Sequence, residues 1–361
     1  MSEDPPATGS AERASTAESV DSGAAKPQRT TLTDRFGRVH TDLRVSLTDR
    51  CSLRCDYCMP AEGLPWLPRE ELLTTAELIR LVALAVDLGV TEVRLTGGEP
   101  LLRPDVVEVV AAIRALPGAP EVSLTTNGLR LPGLAAALAD AGLARVNISL
   151  DTLDRATFRQ LTRRDRLVDT LAGIAAAKAA GLAPVKINTV LMRGVNDYEA
   201  AALLAWALRE EVSLRFIEQM PLDAQHGWRR SNIITAEEIL ASLRSGGFEL
   251  YPLGGRGASP SEDWVVAGPA GEPLGTVGIV GSVTRPFCDS CDRVRLTADG
   301  QFRNCLFAHD ESDLRGLLRG GADDSQVASA MCATVAAKRR GHGIDAPGFT
   351  QPDRPMSAIG G

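Results

Sequence analysis

LRVSLTDRCSLRCDYC, residues 43–58, sets a short alternating run directly ahead of three cysteines. In the run, Leu43, Val45 and Leu47 point one way and Arg44 and Ser46 the other, which is the period of a β-strand. Five more runs repeat the pattern: EVRLT (92–96), EVSLT (121–125), RVNISL (145–150), PVKINTVL (184–191) and SLRFIE (213–218). Between them lie Ala/Leu-rich helical stretches such as TTAELIRLVALAVDLG (74–89), opened by a Thr74-x-x-Glu77 capping box and closed by Gly89. Strands alternating with helices predict an α/β fold with a parallel sheet and right-handed crossovers. Six units are too few for a closed eight-stranded barrel, so an open, partial (β/α)6 TIM-type barrel is expected.

The polar face of these strands is unusual. Helices cover the outside of such a sheet and take the apolar face, which sends Arg44, Arg94, Lys186 and Arg215 into the lumen. A barrel interior is normally filled by branched apolar layers, and four cations there are costly unless an anion pairs with them. Any one of them could reach solvent at a strand end. Together they point to a lumenal site for a multiply charged anion.

That anion is not a polymer met by global attraction. The net charge of −7 over 361 residues offers none to nucleic acid or to an anionic membrane. No run of about 18 apolar residues spans a bilayer, and the N-terminus lacks the basic start and apolar core of a secretory signal. A cytosolic chain is expected. Residues 1–33 carry little that could pack and read as a disordered N-terminal extension. The barrel is assigned to 34–245. Segment 246–361 reads as a smaller C-terminal module, Gly- and Pro-rich at first, with strand-like pieces (DWVVAG, GTVGIV) and then two helices.

Seven cysteines fall as Cys51, Cys55, Cys58, then Cys288, Cys291, Cys305, then Cys332. An odd, clustered set in a reducing compartment indicates metal ligation, not disulfides. Tetrahedral zinc and complete iron–sulfur clusters take four protein ligands. The first triad, C-x3-C-x2-C, has no fourth, and neither Asp56 nor Tyr57 is a good substitute. Three thiols on one loop can hold three irons of a cubane and leave the fourth open to a small molecule. In the second triad His309 follows Cys305 by four residues and would complete a Cys3His zinc ribbon, so spacing alone leaves zinc open there. CDRVRLT (291–297) adds Arg293 and Arg295 on alternate positions beside Cys291. Cys332, in an Ala-rich helical run, reads as a packed small hydrophobe. KRRGHG (338–343) reads as a solvated helix end, or a neighbour of substrate phosphates.

The first triad, placed after the first strand with Tyr57 before its third cysteine, resembles the motif of the radical S-adenosylmethionine (radical SAM) superfamily. TGGEP (96–100) resembles that superfamily's second motif, which holds the methionine amino group. With the second triad, CDRVRLT and the ending MSAIGG, the chain from about residue 34 onward resembles the GTP 3′,8-cyclase (MoaA) family, lyases of molybdenum-cofactor biosynthesis. The resemblance implies two [4Fe–4S] clusters, one on Cys51, Cys55 and Cys58 that binds SAM, and one on Cys288, Cys291 and Cys305 that meets the guanine of GTP. It implies SAM contacts at Tyr57, Gly97, Gly98, Glu99, Ser149 and Met220. It implies GTP contacts at Arg44, Arg94, Thr125, Lys186, Arg215, Arg293 and Arg295, a set that contains every inward cation deduced from alternation. Arg293, Arg295 and a tail ending in Gly360 and Gly361 are implied to be needed for catalysis.

The implied reaction is a rearrangement of GTP. A 5′-deoxyadenosyl radical takes the hydrogen from C3′, the C3′ radical attacks C8, and reduction and protonation give (8S)-3′,8-cyclo-7,8-dihydroguanosine 5′-triphosphate. An external one-electron reductant is implied. Hand-over to the cyclic pyranopterin monophosphate synthase and a homodimer are left open. A peptide-modifying radical enzyme and a zinc-stabilised binding protein are the competing assignments.

Overall fold

The six alternating runs form β1 (Asp42–Ser46), β2 (Glu92–Thr96), β3 (Glu121–Thr126), β4 (Arg145–Ser149), β5 (Lys186–Val190) and β6 (Ser213–Ile217). Helical cover follows each in turn: α1 (Thr75–Asp87), α2 (Val106–Arg114), α3 (Leu131–Asp140), the pair α4 (Arg155–Thr162) and α5 (Leu167–Ala179), then α6 (Ala200–Arg209) and α7 (Ala236–Ser245). The capping box of α1 is formed as its sequence requires. Thr74 Oγ1 accepts from the Glu77 N–H at 3.2 Å, and the Glu77 carboxylate accepts from the Thr74 N–H at 2.8 Å. The apolar strand residues Leu43, Val45, Val93, Leu95, Val122, Leu124, Val146, Ile148, Ile187, Leu214 and Phe216 are all buried, in one core with Leu78, Leu81, Val109 and Val110 of the helices. Their alternation therefore does assign the helix-facing side.

This computed structural model describes residues 30–268 and 270–360, and Thr31–Gly361 forms one compact unit. The expectation for residues 1–29 lies outside the described residues. Residues 31–33, counted with the extension on composition, pack into the body: Leu32 is fully buried and Thr33 bridges Val39.

The C-terminal segment contributes β7 (Glu249–Pro252), β8 (Glu262–Ala267), β9 (Pro273–Val280), β10 (Arg293–Leu296), β11 (Gln301–Arg303), β12 (Ser312–Asp313), α8 (Leu314–Arg319), α9 (Asp324–Ala336) and α10 (Met356–Ile359). It does not stand apart as a module at 246–361. One twelve-stranded sheet runs β12-β11-β10-β1-β2-β3-β4-β5-β6-β9-β8-β7, with β10 parallel to β1 and β9 parallel to β6. Eight strands are thus parallel where six were expected, and antiparallel strands flank them on both sides. The physical reason is burial: Val277 and Ile279 of β9 and Val294 and Leu296 of β10 continue the apolar face of the barrel strands in the same core.

Close backbone approach fixes the helices on the sheet. Gly173 in α5 lies against Gly128, just after β3, and a Cβ on residue 173 would collide with the Gly128 carbonyl and stand 2.9 Å from its carbon. Gly173→Ala is expected to lower stability by about 1–3 kcal/mol, the usual cost of overpacking, in urea unfolding of the apo-protein.

Candidate active site

The strand register gathers the lumenal cations. Arg44 lies opposite Arg94 on one side and Arg295 on the other, and Asp42 lies opposite Arg293. Lys186 lies opposite Asn147, and Arg215 opposite Asn188. Burial, with Arg94 next to it, pushes Arg44 down to about 9, and burial with Arg44 nearby does the same to Arg295. Lys186 is pushed down to about 8 by burial and by Arg215, Arg145 and Arg94. These shifts show one mutually repelling group. Asp42 is a carboxylate set among the arginines, its Oδ2 3.8 Å from an Arg44 guanidinium nitrogen, and Asp263 is the acidic neighbour of Lys186 and Arg215. Arg44 Nε is buried without a hydrogen-bond partner. A buried, unpaired guanidinium nitrogen among like charges is a donor waiting for an anion.

At the C-terminal ends of β1 and β2 the backbone carries the geometry. Gly98 N–H donates to the Thr48 carbonyl and Glu99 N–H to the Arg50 carbonyl, each at 2.7 Å. A Cβ at residue 98 would sit 2.5 Å from the Asp49 carbonyl oxygen, so only glycine lets this turn lie on the cysteine loop. Gly97 precedes it at φ +143°. The Glu99 carboxylate is committed within the protein, accepting from Thr126 Oγ1 and Asn127 N–H at 2.7 Å and from Leu101 N–H at 3.0 Å. Its backbone is left for contact with a cofactor.

The cysteine loop between β1 and α1 is held by Arg54, whose guanidinium donates to the Cys51 and Leu53 carbonyls at 2.7 and 2.8 Å. Tyr57 donates to Asp151 at 2.7 Å, and burial raises that carboxyl to about 6. Ser149 ends β4 half-buried, and Thr125 lies half-buried on β3. Met220 packs in a second apolar cluster with Leu222, Cys305, Phe307 and Ile359.

That cluster is where the tail enters. Ser357 in α10 is a polar neighbour of Cys58 in the first triad, and it works against the upward push of burial on that thiol. Three residues on, the Gly360 carbonyl accepts from Arg295, and at φ +85° a Cβ there would strike Thr96 Oγ1 and stand 3.2 Å from Ser46 Cβ. The tail therefore runs from the first thiol triad to the lumenal cations. Gly361 lies outside the described residues.

The second triad adjoins the same cations, since Arg44 is an electrostatic neighbour of Cys291 and Arg295 of Cys305. His309, the fourth ligand of the zinc alternative, is exposed, its Nε2 3.2 Å from the Thr350 carbonyl. Among the described residues no group of three or more His, Cys, Asp or Glu side chains is placed to hold a metal ion. The six triad thiols are free. Burial pushes Cys51 up to about 11 and Cys58 up to about 12, and it raises Cys55 and Cys288 as well. Cys291 differs: burial raises it, but Lys338 and Arg293 bring it below the usual thiol range. Thiolate sulfur is the donor that iron–sulfur clusters take, so both sets fit that group in kind.

Comparison with known proteins meets this geometry. Residues 45–207 match the Radical SAM superfamily, and residues 212–344 match the family described as Molybdenum Cofactor Synthesis C. A GTP 3′,8-cyclase of Streptomyces coelicolor is 58% identical over 333 residues, 91% of this chain and 96% of the relative. The enzyme of that name from Mycolicibacterium smegmatis is 57% identical over 334 residues, 91% and 92% of the two chains. GTP 3′,8-cyclase 2 of Mycobacterium tuberculosis H37Rv is 57% identical over 332 residues, again 91% and 92%. The chain belongs to the GTP 3′,8-cyclase family.

In this family member the sequence pattern left several site residues unremarked. Arg145 shares the parity of Asn147 and Ser149 on β4 and joins the lumenal cations, though it is paired with Glu92 at 2.9 Å and with Glu121. Asp151, just past β4, carried no signal until Tyr57 was placed on it. Lys338 opens the stretch read as a solvated helix end; Arg339 and Arg340 are exposed, but Lys338 is 3% exposed and turned toward Cys291.

Lys186 gives the cation group a pH signature. Its folded pKa, about 8, lies below the unfolded 10.5, so between those values the unfolded chain binds more protons and stability must rise with pH. Wild type is therefore expected to gain thermal stability relative to Lys186→Met from pH 8 toward 10. Inorganic triphosphate should bind wild type less well over the same window, because Lys186 must regain its proton to pair.

Proposed function

We propose that this chain cyclises GTP to (8S)-3′,8-cyclo-7,8-dihydroguanosine 5′-triphosphate, the first step of molybdenum cofactor biosynthesis. One observation carries the assignment of residues: a buried group of cations lies beside one thiol triad and is joined to the other by a tail whose Gly360 carbonyl accepts from Arg295.

Cys51, Cys55 and Cys58 hold a first [4Fe–4S] cluster, and Cys288, Cys291 and Cys305 a second. When bound, the first cluster and SAM supply a 5′-deoxyadenosyl radical, the agent that removes H3′ of the ribose so that C3′ can bond C8 of the guanine. The protein's task is to present C3′ and C8 and to exclude other hydrogen donors.

Arg44, Arg94, Lys186 and Arg215 take the triphosphate, whose roughly four negative charges offset their repulsion, with guanidinium forks suited to phosphate oxygens. Thr125 adds a hydroxyl from β3. Arg293 is held against the Phe287 ring at 4.4 Å and donates to the Ala258 carbonyl at 2.6 Å, which leaves part of its fork for substrate. Arg295 serves twice, facing the anion and fixing Gly360. The backbone at Gly97–Glu99, with Tyr57, Ser149 and Met220, lines the SAM side. The tail at Gly360 keeps water from the space between.

Six free thiols need the reducing environment of the cytosol, and electrons must come from an external one-electron donor. Transfer of the product to the cyclic pyranopterin monophosphate synthase and a homodimer extend the same proposal.

Anaerobically reconstituted protein is expected to hold about eight irons and no zinc, and to form the cyclic nucleotide from GTP and SAM under a strong reductant, detected by mass. About four irons with one zinc, or SAM cleavage without the cyclic product, would sink the assignment. Gly360→Ala should keep its iron and its GTP affinity yet lose about 100-fold in product formation, as small misplacements at a radical centre do.

A further inference from the structure

Three buried side chains stand in file behind the second triad. Asp34 accepts from the Phe36 and Arg38 N–H groups at 2.9 and 3.0 Å and from Arg38 Nε at 2.6 Å, and its Oδ2 lies 3.2 Å from His40 Nε2. His40 Nδ1 lies 3.3 Å from Lys338 Nζ. Lys338 Nζ in turn donates to the Arg293 carbonyl at 2.8 Å and reaches Cys291 Sγ at 3.6 Å. Asp34, His40 and Lys338 are 5%, 0% and 3% exposed.

The chemistry of the file fixes its direction. With Nε2–H donating to Asp34, the imidazole presents Nδ1 as an acceptor to the ammonium. An ammonium has three hydrogens, and three acceptors surround this one: a carbonyl, an imidazole nitrogen and a sulfur. Tying the carbonyl of Arg293 to a neighbouring helix end would need only a neutral donor. A full positive charge buried against a cysteine sulfur is costly unless an anion faces it, and a thiolate-ligated cluster is such an anion. Hydrogen bonds to the sulfurs and local charge are among the terms that set a cluster's reduction potential.

We propose that Lys338, oriented by His40 and Asp34, is a positioning residue of the second iron–sulfur site, donating a charge-assisted N–H···S hydrogen bond to Cys291 that raises the reduction potential of the cluster held there. The same ammonium pins the backbone of Arg293, so the cluster ligand and the adjacent substrate cation are set by one group. This rests on the assignment of Cys288, Cys291 and Cys305 to a cluster.

The test uses the full chain with Cys51, Cys55 and Cys58 replaced by Ala, so that only the second site can be loaded, and follows reduction by dithionite with electron paramagnetic resonance. Lys338→Gln and Lys338→Met are expected to shift the midpoint to more negative potential and to change the signal, while Lys338→Arg keeps most of the parent value. His40→Gln, which leaves the ammonium but removes its orienting acceptor, should move the potential the same way by less, and it covers the case in which Lys338→Met fails to fold. If the parent holds about four irons and Lys338→Gln matches it in potential and signal while only thermal stability falls, Lys338 is structural and the proposal is overturned. A parent without iron would overturn the cluster assignment first, and this role with it.

Discussion

Repulsion among buried cations governs this molecule. Arg44, Arg94, Lys186, Arg215, Arg293 and Arg295 share one lumen, and the pKa values of Arg44, Arg94, Lys186, Arg215 and Arg295 all move down, first through burial and then through neighbouring cations. Folding alone gains nothing from such an arrangement, since a barrel of this kind packs well with branched apolar layers. The sheet must be stabilised elsewhere, by the continuous apolar face it turns to its helices. The lumen is left as a stored demand for negative charge, which a bound polyanion meets.

The constraint extends to the smallest residues. A strongly charged pocket binds water and counter-ions unless backbone fills it, and here backbone does. Gly98 lets one turn lie on the cysteine loop without a side chain between them, and Gly360 brings a carbonyl to Arg295 past Thr96 and Ser46. Each glycine stands where a methyl group would collide, so the absence of a side chain is what shapes the site.

Strand parity made much of this legible in the sequence. A period of two sorts Leu43 from Arg44 and Val93 from Arg94 without any structure, and it would have sorted Arg145 as well, had the first residue of that run been counted with Asn147 and Ser149. What parity cannot supply is partnership. Nothing local in CDRVRLT says that β10 will lie beside β1, some 250 residues earlier, because that pairing is chosen by the sheet as a whole. The change of composition near residue 245 therefore marks no boundary, because one sheet crosses it. The burial of Lys338 is hidden from the sequence for a related reason. In a run of Lys and Arg at a helix end solvation is the ordinary outcome, and only the sulfur, imidazole and carbonyl converging from two other segments turn it inward. Glu99 shows the converse: it stands among the residues implied to meet a cofactor, yet its carboxylate is turned inward to join β2 to β3.

The pairing of β10 with β1 also settles how the two triads face each other. The strands are parallel, with Asp42 opposite Arg293 and Arg44 opposite Arg295. Cys291 comes just before β10, and Cys51 comes just after β1, so the triads lie toward opposite ends of neighbouring strands. A five-residue strand spans about 13 Å between its first and last Cα atoms, and Arg44 and Arg295 sit between those ends. A nucleotide laid along these strands can have its base at one triad and its ribose turned toward the other, with no rearrangement of the sheet. Hydrogen-bond register, in which a one-residue slip would turn Arg44 or Arg295 out of the lumen, is thus what holds the distance between the two thiol triads.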